Sequence, residues 1–369
     1  MYDTSPMLFI PAGIGTYTIK LAQALQEFGS DADVEFMLSQ LPVWLHPGGT
    51  KGFQHKLKVL AWDSYYMHSL LPRSALRAVA DLIHTPAFRL PLQSKVPVVT
   101  TIFDAILFVF PRFFRLRDRL TLGMYLRASN RCAAHVITIS EQSRKDIQHY
   151  LGISRERISV TYPAAASIFR PVVAVDVASV LARYGVTSPY ILSVGTLEPR
   201  KNLARVIEAF ADLRHRRVVS PQLKLVLVGR RGWLEHPIFA TVRRLELEEH
   251  VHFTGYVAEG DLPALYSGAS VFVYPSLYEG FGIPPLEAMA CGCPVVTSNC
   301  SSLPEVVGDA ALQADPNDVM QITQAMERVL TDEALAQEMR QKGLRRAEQF
   351  SWRRCAEETI AVYRQVVGA

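Results

Sequence analysis

Eight short runs, at 98–102, 134–139, 158–162, 190–194, 223–228, 251–254, 271–274 and 294–297, are rich in valine and isoleucine and mostly apolar on both faces. A strand tolerates apolar side chains on both faces only when both are covered, as in parallel strands joined by crossover helices. Amphipathic segments such as 203–213 and 285–289 lie between the runs, so the fold class is α/β with parallel sheets. The rhythm breaks once. Between Arg170-Pro171-Val172 and Ser188-Pro189 prolines bracket a short helical piece, and a new strand starts at Tyr190. This places a domain boundary at 172/173, and a length of 369 residues, about two to three typical domains, agrees with two cores. Each half reads as a doubly wound sheet, whose ligands bind beyond the carboxyl ends of the strands. The only apolar run ahead of the first glycines is 7–10, which predicts either a very short first strand or a native start upstream of Met1.

With 49% hydrophobic and 20% charged residues the chain is too apolar for disorder, and no window holds the roughly 18–20 uninterrupted apolar residues of a spanning helix. The first residues, Met1-Tyr2-Asp3-Thr4-Ser5-Pro6, lack the basic flank and apolar stretch of a secretory signal, so a cytosolic location is expected. Cys132, Cys291, Cys293, Cys300 and Cys355 are odd in number, and the nearest pair is spaced C-G-C, which matches neither zinc nor redox patterns. They read as reduced structural thiols, and no metal site is expected. Charge is unevenly divided: residues 1–170 carry 19 basic against 12 acidic side chains, and residues 171–369 carry 20 against 23. The excess is concentrated in Arg112-Phe113-Phe114-Arg115-Leu116-Arg117-Asp118-Arg119, where arginines and aromatics interleave. Such a stretch suits an anionic lipid surface; the alternative is a solvated helix start whose phenylalanines pack inward.

The most specific segment is Ser276-Leu277-Tyr278-Glu279-Gly280-Phe281-Gly282-Ile283-Pro284-Pro285-Leu286-Glu287. It follows a strand, makes a glycine-bearing turn and opens a helix at tandem prolines, which suit a first helical turn. The amides of Phe281, Gly282 and Ile283 are expected to point outward there, and glycine lets a ligand approach the main chain. Glu279 in the loop and Glu287, expected in the first helical turn, can both accept hydrogen bonds from a polyhydroxylated ligand. For Glu287 a plain helix-start carboxylate is the alternative. In a second segment, Gly195-Thr196-Leu197-Glu198-Pro199-Arg200-Lys201-Asn202, two cations stand just before the helix at 203–213, where its dipole disfavours them. An anion between them and the helix end removes that conflict.

The Glu279-to-Glu287 spacing within E-G-F-G-I-P-P-L-E-A-M-A-C-G resembles the signature of the retaining glycosyltransferases of family 4, which have the GT-B architecture, two Rossmann-like domains facing across a cleft. The resemblance extends through the Gly195 to Asn202 segment, Val228-Gly229-Arg230, Phe253-Thr254-Gly255-Tyr256-Val257 and Ser302-Leu303-Pro304-Glu305-Val306, covering essentially all of the second half. In the first half it is looser, through Gly13-Ile14-Gly15-Thr16-Tyr17-Thr18, Thr101-Ile102-Phe103-Asp104 and Ile137-Thr138-Ile139-Ser140-Glu141-Gln142-Ser143. It implies an acceptor-binding domain at 1–172, joined by a helix at 352–369 that crosses back to it, and a donor-binding domain at 173–351. By the same resemblance Arg200 and Lys201 clamp the donor diphosphate, Glu279 holds the transferred sugar, Glu287 the ribose, and the amides of 281–283 the sugar or phosphate. Thr196, Gly229, Arg230, Tyr256 and Val257 line the donor, with the backbone at 255–257 reading the base. Gly13 and Gly15 close over its phosphates, although Thr18 stands where a dinucleotide fingerprint has its third glycine, and a plain turn before a helix at 17–28 fits equally. Ser140 reads as a helix cap.

The implied reaction moves a hexose, mannose or glucose, from a GDP- or UDP-sugar to a hydroxyl of a saccharide or lipid-linked saccharide, with retention and with no metal or other cofactor. Its implied setting is cell-surface polysaccharide assembly with peripheral contact to an anionic membrane, and no nucleic-acid partner. Lysines 51–58 and the arginines of 112–119 point only to an anionic or lipid-linked acceptor. Two departures stand out. Many relatives carry His-Asp where this chain has Phe103-Asp104, which leaves Asp104 either to orient a substrate or to cap a strand end, with His84 as a candidate replacement imidazole. Some relatives carry arginine where Thr196 stands, which leaves the phosphate charge to Arg200 and Lys201. A sugar phosphorylase, a nicotinamide oxidoreductase and a non-catalytic nucleotide-sugar or nucleic-acid binder are the rival classes.

Overall fold

The structure, a computed structural model, describes residues 1–3, 13–29, 36–37, 64–232 and 235–368. The chain divides into two units, Met1–Pro163 with Ser351–Ala369, and Ala164–Phe350. The division precedes the 172/173 boundary expected from the prolines, because the connecting stretch is anchored to the second unit. Phe169 is buried edge-on to Tyr266, with ring centroids 6.0 Å apart, and the Val172 amide donates to Ser267 Oγ at 3.0 Å.

In the first unit β1 (Tyr2–Asp3), β2 (Phe36–Met37), β3 (Ile83–Thr85), β4 (Val98–Thr101), β5 (His135–Thr138) and β6 (Ile158–Val160) form a parallel sheet in the order β2-β1-β3-β4-β5-β6. Strands β4 and β5 are buried along their whole length, as two-faced apolar runs require, and so is β3, Ile83-His84-Thr85, which is not one of the eight runs. The apolar run at 7–10 lies outside the described residues; the first described strand is β1. Helix α1 spans Gly13–Phe28, so it begins four residues ahead of the expected start at Tyr17 and takes both glycines into its first turn. Two further helices are α2 (Leu116–Cys132) and α3 (Glu141–Leu151), the latter capped by Ser140 Oγ, which accepts from the Ser143 amide at 3.0 Å. The C-terminal helix does return to this unit. Trp352–Val367 packs on α1 and buries Cys355, Ala356, Thr359, Ile360, Val362 and Tyr363.

In the second unit β7 (Tyr190–Val194), β8 (Lys224–Val228), β9 (Val251–Gly255), β10 (Val271–Tyr274), β11 (Val295–Ser298) and β12 (Ala311–Ala314) form a parallel sheet in the order β12-β11-β10-β7-β8-β9. One face packs on α4 (Leu203–His215) through Val206, Ile207 and Phe210, and on the helix Val319–Thr331 through Ile322 and Met326. The helices α5 (Leu262–Gly268) and α6 (Ile283–Ala290) flank β10 in sequence. Parallel strands, intervening helices and doubly wound order make each unit an α/β fold.

Candidate active site

In the second sheet the strand order reverses between β7 and β10. Doubly wound sheets bind ligands at such a switch point, beyond the carboxyl ends of the two strands. The segment after β7 makes a tight turn at Pro199–Lys201 and enters α4 through Asn202, whose left-handed backbone (φ 61°) ends the turn. Asn202 Nδ2 donates to the carbonyls of Pro275 (3.0 Å) and Pro316 (2.6 Å), and the Leu277 amide donates to the Arg200 carbonyl (2.9 Å). The loops after β7 and β10 are thereby sewn together.

This join brings together three expected site residues. Glu279 Oε2 lies 2.5 Å from Arg200 Nη1, and Glu279 Oε1 lies 2.8 Å from Lys201 Nζ. Tyr274 Oη and Ser276 Oγ also donate to Oε1, at 2.9 and 2.6 Å. Arg200 reaches back to Glu198 Oε1 at 2.6 Å, and Lys201 Nζ sits 4.7 Å above the Tyr274 ring while donating to its hydroxyl. Burial works against the charge on Glu279, but Arg200 and Lys201 outweigh it and hold the carboxyl down to about 2. Burial also opposes the Arg200 charge, and Glu279 and Glu198 more than restore it. Lys201 is held below the ordinary lysine range by burial and by Arg200, an effect that Glu279 only partly offsets. The cation conflict before α4 is thus met inside the protein: Glu279 is the anion.

Glu287 departs from expectation in position. It is the fifth residue of α6, beyond the first turn, so attraction to the helix start does not explain it. Its carboxyl is half-buried, and Oε2 accepts from Tyr266 Oη at 3.0 Å. Burial pushes it up to about 7, the Tyr266 hydroxyl pulls it down, and Glu259 adds a small upward push. At the head of α6, Gly282 has φ 124°, and a Cβ there would stand 2.7 Å from Leu303 Cδ2, so glycine is required. The Gly282 and Ile283 amides have no acceptor among the described residues. The Phe281 side chain is buried against Phe350, and Ser302 Oγ bonds the carbonyls of Glu279 (2.8 Å) and Phe281 (2.5 Å).

Beside the cluster, β7 and β8 end in glycines that touch. A Cβ on Gly229 (φ 150°) would lie 1.9 Å from the Gly195 carbonyl oxygen, while the Gly195 amide donates to Val228 and the Gly229 amide to Gly255, both at 2.9 Å. Thr196 is exposed next to this pair. Arg230 lies with Cζ 4.4 Å above the exposed Tyr256 ring, and the Val257 side chain is buried.

The first-unit candidates fare differently. Gly13 and Gly15 are helical. Asp104 Oδ1 accepts from the Ile106 amide at 3.0 Å, the geometry of a strand-end cap, and the Phe103 ring packs edge-on to Tyr17 at 4.9 Å. His84 cannot replace the missing imidazole: it is fully buried, its Nδ1 meets Tyr363 Oη at 2.5 Å and its Nε2 meets Thr101 Oγ1 at 2.9 Å. Burial, with a smaller push from the amino terminus, holds it down to about 3. Tyr274, Ser276, Glu198 and Tyr266 are site partners that the sequence did not single out. Tyr274 closes β10 and Tyr266 lies inside α5, both fully or nearly buried.

Residues 183–346 match the family described as Glycosyl transferases group 1, and residues 11–165 match Glycosyltransferase Family 4. The O-antigen chain mannosyltransferase B of Escherichia coli is 35% identical over 99% of both chains. The chain belongs to the group 1, family 4 glycosyltransferases. Arg200, Lys201, Glu279 and Glu287 all fall inside the group 1 match of this glycosyltransferase. Among solved structures, sucrose-phosphate synthase from Thermosynechococcus elongatus shares the fold with a TM-score of 0.75 at 23% identity, covering 97% of this chain and 94% of that one. Anabaena HepE in complex with UDP and glucose does so with a TM-score of 0.72 at 20% identity, covering 96% of each. No helix among the described residues of the glycosyltransferase is long and apolar enough to cross a membrane.

Proposed function

We propose that this glycosyltransferase transfers a hexose, mannose first among the candidates, from a GDP- or UDP-sugar to a hydroxyl of a saccharide or lipid-linked saccharide, with retention and without a metal. The observation that carries the reading is the Arg200–Glu279–Lys201 cluster, with Glu279 buried and both cations largely so, at the switch point of the second sheet. A diphosphate arriving there finds two cations already ordered by the fold, so little reorganisation is needed when negative charge grows on the leaving phosphate. These cations supply the countercharge. Both oxygens of Glu279 are held by donors, which suits it to orient the sugar rather than to attack it. The departing phosphate then takes the proton of the acceptor hydroxyl on the same face of the sugar. Glu287 and the amides at the head of α6 are the ribose and phosphate or sugar contacts, and the strand-end glycines admit the nucleotide close to the main chain. Mannose and polysaccharide assembly are favoured by the O-antigen chain mannosyltransferase B of Escherichia coli. The test is product analysis by NMR after incubation with GDP-mannose or UDP-glucose, EDTA and a polyprenyl-linked saccharide. A glycoside with the donor's anomeric configuration is expected; release of sugar 1-phosphate, or an inverted linkage, would overturn the reading.

Peripheral contact with an anionic membrane belongs to the same proposal, and α2 supports it. Leu116, Leu120 and Met124 recur every fourth residue and are 68%, 66% and 52% exposed. Residues 111–132 hold six arginines against one aspartate, and all six arginines are exposed. Phe113 and Phe114 are half-buried, Phe114 against the first unit's core, so the aliphatic stripe and not the phenylalanines would enter the headgroup layer. The same proposal puts the active protein at the cytoplasmic face of the membrane.

A further inference from the structure

We propose that Tyr266 is a positioning residue for donor binding: its hydroxyl fixes the Glu287 carboxylate so that one oxygen is held and the other is presented to a ribose diol. The proposal rests on the reading of Glu287 as the ribose contact.

Tyr266 is fully buried on α5, with its ring edge-on to Phe272 (5.3 Å) and Phe169 (6.0 Å), so the phenol has little freedom to leave its place. Its hydroxyl donates to Glu287 Oε2 at 3.0 Å, between neighbouring helices. No donor among the described residues binds Oε1, and that oxygen is not sealed from solvent. A carboxylate with one oxygen tied and one open is a directional acceptor. A freely rotating one would give up part of its binding energy to side-chain ordering. The hydroxyl also favours the ionised form of Glu287, against the burial and the Glu259 charge that oppose it. Cys291 and Tyr274 are further titratable groups that act on this pair, and burial keeps the thiol and the phenol protonated at neutral pH. Donor binding needs the carboxylate, so affinity falls on the acidic side, and loss of the hydroxyl moves that fall to higher pH.

The test uses the full chain with GDP and UDP, each beside its 2′-deoxyribose counterpart, as competitors of the donor. Tyr266→Phe keeps the ring and its packing. The expected result is a donor KM raised about tenfold with kcat little changed, an acidic limb shifted to higher pH, and a smaller preference for the ribose over the deoxyribose nucleotide. Glu287→Ala should abolish that preference altogether. If Glu287→Ala leaves the preference intact, the ribose reading of the site fails. If Glu287→Ala removes it while Tyr266→Phe keeps the wild-type pH profile and preference, the positioning role fails alone, and any loss of stability in the variant is then structural.

Discussion

Glu279 carries a heavy load, because two largely buried cations depend on it. Removing one partner of a buried ion pair costs about 3 to 5 kcal/mol, since the charge left behind is uncompensated. Glu279→Ala is therefore expected to lose stability of that order in denaturant unfolding as well as turnover, and added pyrophosphate should restore stability to this variant more than it stabilises wild type. Equal response of the two proteins would count against an anion site at Arg200 and Lys201. Glu287 gives a prediction of opposite sign. Folded, it keeps its proton up to about 7, against an ordinary value of 4.5, so its contribution to stability is present below pH 4.5 and is lost as pH rises through about 7. Thermal unfolding of ligand-free wild type should lose stability relative to Glu287→Gln between pH 5 and 8; parallel curves would contradict the burial of this carboxyl. Both residues were legible in the sequence, as were Arg200 and Lys201. Their union was not, because Glu279 and Lys201 are 78 residues apart and meet only through the order of β7 and β10.

At the scale of elements, the strands with apolar side chains on both faces were read from the sequence to within a residue or two, and the weak ones were not. β12 reads Ala-Leu-Gln-Ala at the edge of its sheet and is half-exposed, so it lacks the β-branched signal. β1 and β2 hold two described residues each, too few to show any periodicity. Helix α1 began early because a glycine pair that could have formed a turn is compatible with a first helical turn. The glycines closing β7 and β8 are different: Gly229 has no room for a side chain. Gly229→Ala is expected to cost about 3 kcal/mol or more by forcing β7 and β8 apart, and with that shift to weaken nucleotide binding. Circular dichroism melting together with nucleotide titration checks it, and an alanine variant with native stability would show that the strand ends part freely.

For the whole molecule, two α/β units and a last helix that returns to the first unit were legible from the alternation of elements and the family motifs. The boundary was displaced because prolines mark where regular structure pauses, while the packing of Phe169 decides which core the connection joins. The division of charge between the halves becomes in the structure a basic helix with an aliphatic stripe. Salt-sensitive flotation on acidic liposomes is expected for wild type, and it should be lost in a Leu116→Glu, Leu120→Glu double variant that retains wild-type rates on a soluble acceptor. Flotation equal to wild type in that variant would remove α2 from the contact. The central claim, that the Arg200–Glu279–Lys201 cluster receives the donor diphosphate, is tested most directly by thermal stabilisation with GDP, UDP, ADP and dTDP in EDTA, on wild type and Lys201→Ala. At a hundred times its dissociation constant one of the first two should add about 2.7 kcal/mol to wild type and much less to the variant. Equal stabilisation of both proteins, or none by any nucleotide, would contradict it.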